Sequence, residues 1–130
     1  MSYNPIAIIG MSCRFPGSNS LSQFWENIKN GTSAIHDFSQ QDFPGEALES
    51  SSWHSPDFVR AGTKVDGADQ FDHQFFHYSY HEAELIDPQQ RLFLEACVQA
   101  LDDGNYPYVL LPKWQQACVG VFGSTRQSSY

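Results

Sequence analysis

Two short runs, Ile6-Ala7-Ile8-Ile9 and Ala117-Cys118-Val119-Gly120-Val121-Phe122, are continuously apolar and rich in β-branched residues. Runs of this length and kind read as strands buried on both faces, as in parallel sheets. Gly10 closes the first run, and Gly123-Ser124-Thr125 closes the second. Such strands need a neighbour on each edge and cover on each face. That requirement constrains the chain more than any other feature, because two strands cannot make the sheet they imply.

The cover is visible as helical pattern. Ser20 can cap a helix over about Leu21 to Asn30, where Leu21, Phe24, Trp25 and Ile28 recur at helical spacing and Gly31 ends the run. Asp87 is a good N-cap and Pro88 a good first helical residue. Leu92, Phe93, Ala96, Cys97, Ala100 and Leu101 then form an apolar stripe, and Gly104 stops it. Pro107 and Pro112 mark the connection onward. Met11 to Asn19 reads as a loop. Thr32 to Gly67, broken by Pro44, Gly45, Pro56, Gly62 and Gly67, reads as a long irregular segment with at most one short helix. Asp69 to Tyr80 looks extended or irregular, and its rings Phe71, Phe75, Phe76, Tyr78 and Tyr80 call for burial. The order is strand, helix, long insertion, helix, strand. A crossover of this type implies an α/β fold with a parallel, right-handed pair.

Composition excludes several classes of function. With 7 Lys+Arg against 15 Asp+Glu, the formal charge is −8, and clustered cations for a nucleic-acid face are lacking. No apolar run approaches the ~20 residues of a membrane helix. No basic region followed by an apolar stretch opens the chain, so no secretory signal is expected. The 41% hydrophobic and 15% aromatic content argues against wholesale disorder. Cys13, Cys97 and Cys118 are odd in number and lack CxxC spacing, which fits reduced thiols in a cytoplasmic protein rather than disulfides or a thiolate zinc site.

Four peptides invite chemistry. After Ile9, Gly10-Met11-Ser12-Cys13-Arg14-Phe15 lacks the second and third glycines of a dinucleotide loop. His73, His77 and His81, spaced by four, would share one face of a helix and could hold a metal with Asp69, Glu82 or Glu84. The irregular, aromatic character of the segment favours plain loop histidines instead. Cys13 beside Arg14 could be an activated thiol, but no base is placed for it, and it reads better as a core or loop cysteine. Cys97 and Cys118 read as core residues. In Asp87-Pro88-Gln89-Gln90-Arg91, an arginine in the first turn opposes the helix dipole and calls for a carboxylate or carbonyl partner.

Four motifs in order resemble the N-terminal part of a β-ketoacyl synthase of the modular polyketide synthase type. They are Ile6 to Gly17 (IAIIGMSCRFPG), Phe24-Trp25 with Asn30-Gly31, Phe71-Asp72 through the signature Asp87-Pro88-Gln89-Gln90-Arg91-Leu92-Phe93-Leu94-Glu95, and Val119 to Gly123. The resemblance spans nearly the whole chain. It implies an N-terminal fragment of the thiolase-like fold, with residues 1–130 a partial domain and an incomplete layered sheet. It also implies a decarboxylative condensation of acyl and malonyl-type thioesters, of polyketide or fatty acid biosynthesis type. The expected partners are an acyl carrier protein, which carries the phosphopantetheine, and a second copy in a homodimer.

The sequence departs from the family where catalysis should lie. A Thr-Ala-Cys-Ser-Ser elbow and the two later catalytic histidines are absent, and His36, His54, His73, His77 and His81 all precede the position of that elbow. No catalytic, cofactor-binding or metal residue is therefore carried over. Asp87, Pro88, Gln89, Gln90 and Arg91 are read as a structural family motif. Tyr80 replaces a usual Pro, Asp102-Asp103-Gly104-Asn105 replaces a usual Glu-Asp-Ala-Gly, and residues 38–45 lack a common Arg-Trp pair. Three readings follow: a truncated synthase inactive alone, one half of a split synthase completed in trans, or a binding or metal module built on residues 69–84.

A chain with strands but no full sheet should be marginally stable or associate with another chain. Calorimetry with light scattering should show a broad transition or an associated species. A sharp cooperative melt of a soluble monomer would contradict this expectation.

Overall fold

In a computed structural model of the chain, residues 5–39, 42, 55–106 and 119–125 are described. They belong to two compact units, Phe15–Asp66 and a second formed by Met1–Arg14 with Gly67–Tyr130.

The first unit begins with a type II turn, Phe15-Pro16-Gly17-Ser18. Phe15 and Ser18 exchange backbone hydrogen bonds at 2.9 Å, and Gly17 has φ +69°. Helix α1, Leu21–Asn30, follows as expected. The Ser20 hydroxyl accepts from the Gln23 amide at 3.2 Å, satisfying one of the first-turn donors. At the other end Gly31, at φ +65°, lets its own amide and that of Thr32 turn back to Ile28 and Asn27 carbonyls. That is a Schellman closure, which a side chain at this φ would strain. Asn27 ties the helix to the turn by donating to the Gly17 carbonyl at 2.9 Å and the Ser18 hydroxyl at 2.8 Å. Phe15 and Phe24 meet with ring centroids 4.5 Å apart. The segment expected to be irregular also holds a two-residue antiparallel pair, β1 (His36–Asp37) with β2 (Ala61–Gly62). Phe38 lies close over Gly62, where a Cβ would meet its ring at 2.6 Å. Much of the remaining insertion, including residues 43–54, lies outside the described residues.

The second unit is organised on helix α3, Pro88–Asp103. Asp87 caps it by accepting from the Gln89 amide at 2.7 Å, and Pro88 occupies its first turn, both as the sequence predicts. Gly104 stops the helix, but for a different reason from the one that usually selects glycine. Its φ is −75°, and Asn105 at φ +59° makes the left-handed turn instead. Gly104 is small because another backbone lies on it: a Cβ there would meet the Ile9 carbonyl oxygen at 3.1 Å. Gly10 is tighter still, since its Cβ would overlap the Ala100 carbonyl oxygen and lie 2.7 Å from the Gly104 nitrogen.

Residues 10–14 thus run against the helix direction. The Met11 amide donates to Asp103 Oδ2 at 2.9 Å, and the Ser12 hydroxyl donates to the Ala96 carbonyl at 2.7 Å. Ahead of α3, turns through 71–78 gather Phe71 stacked on Phe76 at 4.9 Å, with Phe75 edge-on to Phe76 at 4.9 Å. This cluster partly meets the burial that the rings of the segment call for, although Phe75, Tyr78 and Tyr80 stay exposed.

One helix was not read from the sequence and one expectation is corrected. Residues 80–85, just past the segment read as irregular, are helical (α2, Tyr80–Leu85), and the spacing Ser79-x-x-Glu82 is the signal for it. Ser79 and Glu82 form a reciprocal capping box, the Ser79 amide reaching Glu82 Oε2 at 2.8 Å and the Glu82 amide reaching Ser79 Oγ at 3.3 Å. The runs at 6–9 and 119–122, expected as buried strands, have no ladder partner among the described residues, and Ala117 and Cys118 lie outside them. Ile6 is 96% and Phe122 95% exposed. A strand is made by its neighbours' hydrogen bonds, and an apolar run without them keeps the composition of a strand but not its structure.

This packing can be tested at two points. Gly10→Ala should destabilise the second unit by about 1–3 kcal/mol, the usual cost of overpacking, read as a lower urea midpoint with unchanged slope. The Glu82 carboxyl is held below its usual range by the Ser79 hydroxyl and then the Ser79 amide. A depressed carboxylate stabilises above its unfolded pKa, and the effect is lost as pH falls through the folded value. Amide exchange in the first turn of α2 should therefore speed up on acidification below about pH 4.5, relative to neighbouring segments. Glu82→Gln, which keeps a side-chain acceptor, should abolish that pH dependence. An unchanged dependence in this variant would refute the assignment.

Candidate functional site

The most distinctive peptide, Asp87 to Arg91, builds the start of α3. Besides the side-chain cap, the Asp87 carbonyl accepts from the Gln90 and Arg91 amides at 2.9 and 3.2 Å. Arg91 is partly buried and lines a cleft of about 140 Å³ with Asp69, His73, Tyr80 and Glu84. The carboxylates of its lining, Asp69 and Glu84, are of the kind that a first-turn arginine calls for. The Tyr80 phenol is pushed above its usual value by its hydrogen bond to Glu84 and by the charge of that carboxylate.

Arg14 and Glu95 form an ion pair in this unit, with N and O atoms 3.0 Å apart and side chains 24% and 20% exposed. Among the described residues no donor is aligned for a hydrogen bond on that Glu95 oxygen, so the attraction is chiefly coulombic. The pair lines a cleft of about 240 Å³ with Asp72, Phe75, Phe76, Val98 and Gln99. The sequence offered Cys13 as the neighbour for Arg14 to activate. The structure instead gives Arg14 a carboxylate from α3. No local signal could show this, since the two residues lie far apart in the chain.

Along the other face of α3, Phe93, Cys97, Ala100 and Leu101 line an apolar cavity of about 620 Å³. Ile8 and Ile9 close one side, and Val119, Val121 and Phe122 another. The stripe read from the sequence therefore faces the two runs it was expected to cover. Cys97, expected as a core residue, is only half-buried in this wall, and the described lining holds no histidine, carboxylate or amine that could activate a thiol.

His73, His77 and His81 do not share a helical face. His73 lies in a turn with Nδ1 2.9 Å from the Tyr78 carbonyl, His77 has φ +60°, and only His81 is in α2. Among the described residues, no group of three His, Cys, Asp or Glu is placed to hold a metal ion. No described helix is long and apolar enough to cross a membrane.

Comparison with known proteins places this geometry. A family profile described as "Beta-ketoacyl synthase, N-terminal domain" matches residues 3–130. A phenolphthiocerol/phthiocerol polyketide synthase of Mycobacterium tuberculosis is 35% identical over 127 residues, covering 98% of this chain and 8% of that protein. Polyketide synthase PksM of Bacillus subtilis is 38% identical over 132 residues, covering 96% of this chain and 3% of that protein. Among solved structures, ketosynthase twelve of the bacillaene polyketide synthase from Bacillus amyloliquefaciens superposes with a TM-score of 0.63 at 34% identity. The ketosynthase of module 1 of the bacillaene synthase from the same species gives 0.61 at 38% identity. These two structures cover 74% of this chain, which spans 17% and 16% of them. The α/β, thiolase-like fold class expected from the sequence is borne out, and the chain is a partial version of it.

Breaking the Arg14–Glu95 pair tests its role in holding residues 10–14 on α3. Glu95→Gln should cost about 1–2 kcal/mol, between the values for exposed and buried pairs. A double-mutant cycle with Arg14→Met should give a coupling that shrinks at high salt, as a coulombic contact requires. A coupling near zero would leave the pair without a stabilising role.

Proposed function

The chain belongs to the β-ketoacyl synthase family, and we propose that it supplies the N-terminal portion of a polyketide-type ketosynthase whose reactive groups lie outside these 130 residues. The observation that carries this reading is the match over residues 3–130, with the order of motifs from Ile6 to Gly123 preserved.

The family reaction has two halves. A cysteine thiolate attacks the carrier-bound acyl thioester, forming an acyl-enzyme thioester and releasing the carrier thiol. A malonyl-type thioester then loses carbon dioxide, and its enolate attacks the acyl carbon. The new carbon–carbon bond forms as the cysteine thiolate departs. Both halves need an activated thiolate and preorganised donors for the developing negative charge. The motifs that carry those groups are absent from this sequence. Asp87, Pro88, Gln89, Gln90 and Arg91 contribute by starting α3, which carries the first apolar segments of the core. The partners are an acyl carrier protein and a second synthase copy, and the setting is the reducing cytoplasm.

A second reading is favoured by the exposure of Ile6, Ile8, Val121 and Phe122. Such a face calls for apolar cover, and a separate polypeptide bearing the remainder of a synthase would provide it. The reading as a metal module on residues 69–84 has no comparable support, because its histidines diverge.

The test is direct. Incubated with a short acyl thioester and a malonyl-loaded carrier protein, the 130-residue chain should give neither an acyl-enzyme by mass spectrometry nor a 3-oxoacyl product. Formation of that product by the chain alone would overturn the proposal. Co-expression with a chain carrying the cysteine elbow and later histidines should restore acylation on the added chain if the parts complement. Absence of a stable pair would reject the split reading and leave the first intact.

A further inference from the structure

No further inference is drawn: the strongest candidate, the apolar cavity along α3 lined by Ile8, Ile9, Val121 and Phe122, belongs to the site already described, and nothing in the structure shows what else covers it.

Discussion

The close approach of two backbones at Gly10 and Gly104 governs the second unit. A side chain at Gly10 would occupy the space of the Ala100 carbonyl oxygen. With hydrogen in that place, residues 10–14 can lie directly along α3. The Met11 amide then finds Asp103, the Ser12 hydroxyl finds the Ala96 carbonyl, and Arg14 finds Glu95. None of these contacts is large by itself, with about 1 kcal/mol typical of a neutral hydrogen bond such as that of Ser12 and on the order of 1–3 kcal/mol where a carboxylate takes part. Together they fix a segment that has no secondary structure of its own. They also bring Ile8 and Ile9 to the apolar face of the helix.

The polar and apolar sides of α3 are satisfied to different degrees. On the polar side, Glu95 pairs with Arg14, and Arg91 sits in a cleft with Asp69, Tyr80 and Glu84. On the apolar side, the stripe from Phe93 to Leu101 faces a cavity rather than a packed core, and the runs beyond it remain largely exposed. Among the described residues the only buried hydrophobic residue is Ala83, at 7% exposure. This asymmetry fits a chain that spans about a sixth of the ketosynthases it resembles. Polar contacts are satisfied one pair at a time, whereas a hydrophobic core needs many surfaces at once.

The limits of sequence reading follow from range. Both long helices begin where the sequence places them, because Ser20 and Asp87 cap amides only two or three residues away. The end of α1 is equally local, set by Gly31. Helix α2 was legible in principle through Ser79 and Glu82, but the aromatic and histidine content of the segment masks that signal. The β1–β2 pair is too short to leave a period, with only His36–Asp37 facing Ala61–Gly62. The runs at 6–9 and 119–122 have the right composition for buried strands, yet composition cannot supply their hydrogen-bonding neighbours. The same limit applies to the candidate site. Arg91 shows its need for partners through its position in the first turn, while Arg14 shows nothing of Glu95.

Residue identities and short spacings therefore suffice for the helix caps, the apolar stripe of α3 and the family signature. Each depends on residue identity or on bonds within one helical turn. The tertiary structure alone decided that Gly10 and Gly104 are close-approach glycines, that Arg14 serves Glu95 rather than Cys13, and that three evenly spaced histidines point to no common site. Those outcomes depend on where distant segments meet. That is set by the packing of the chain as a whole, which no local spacing encodes.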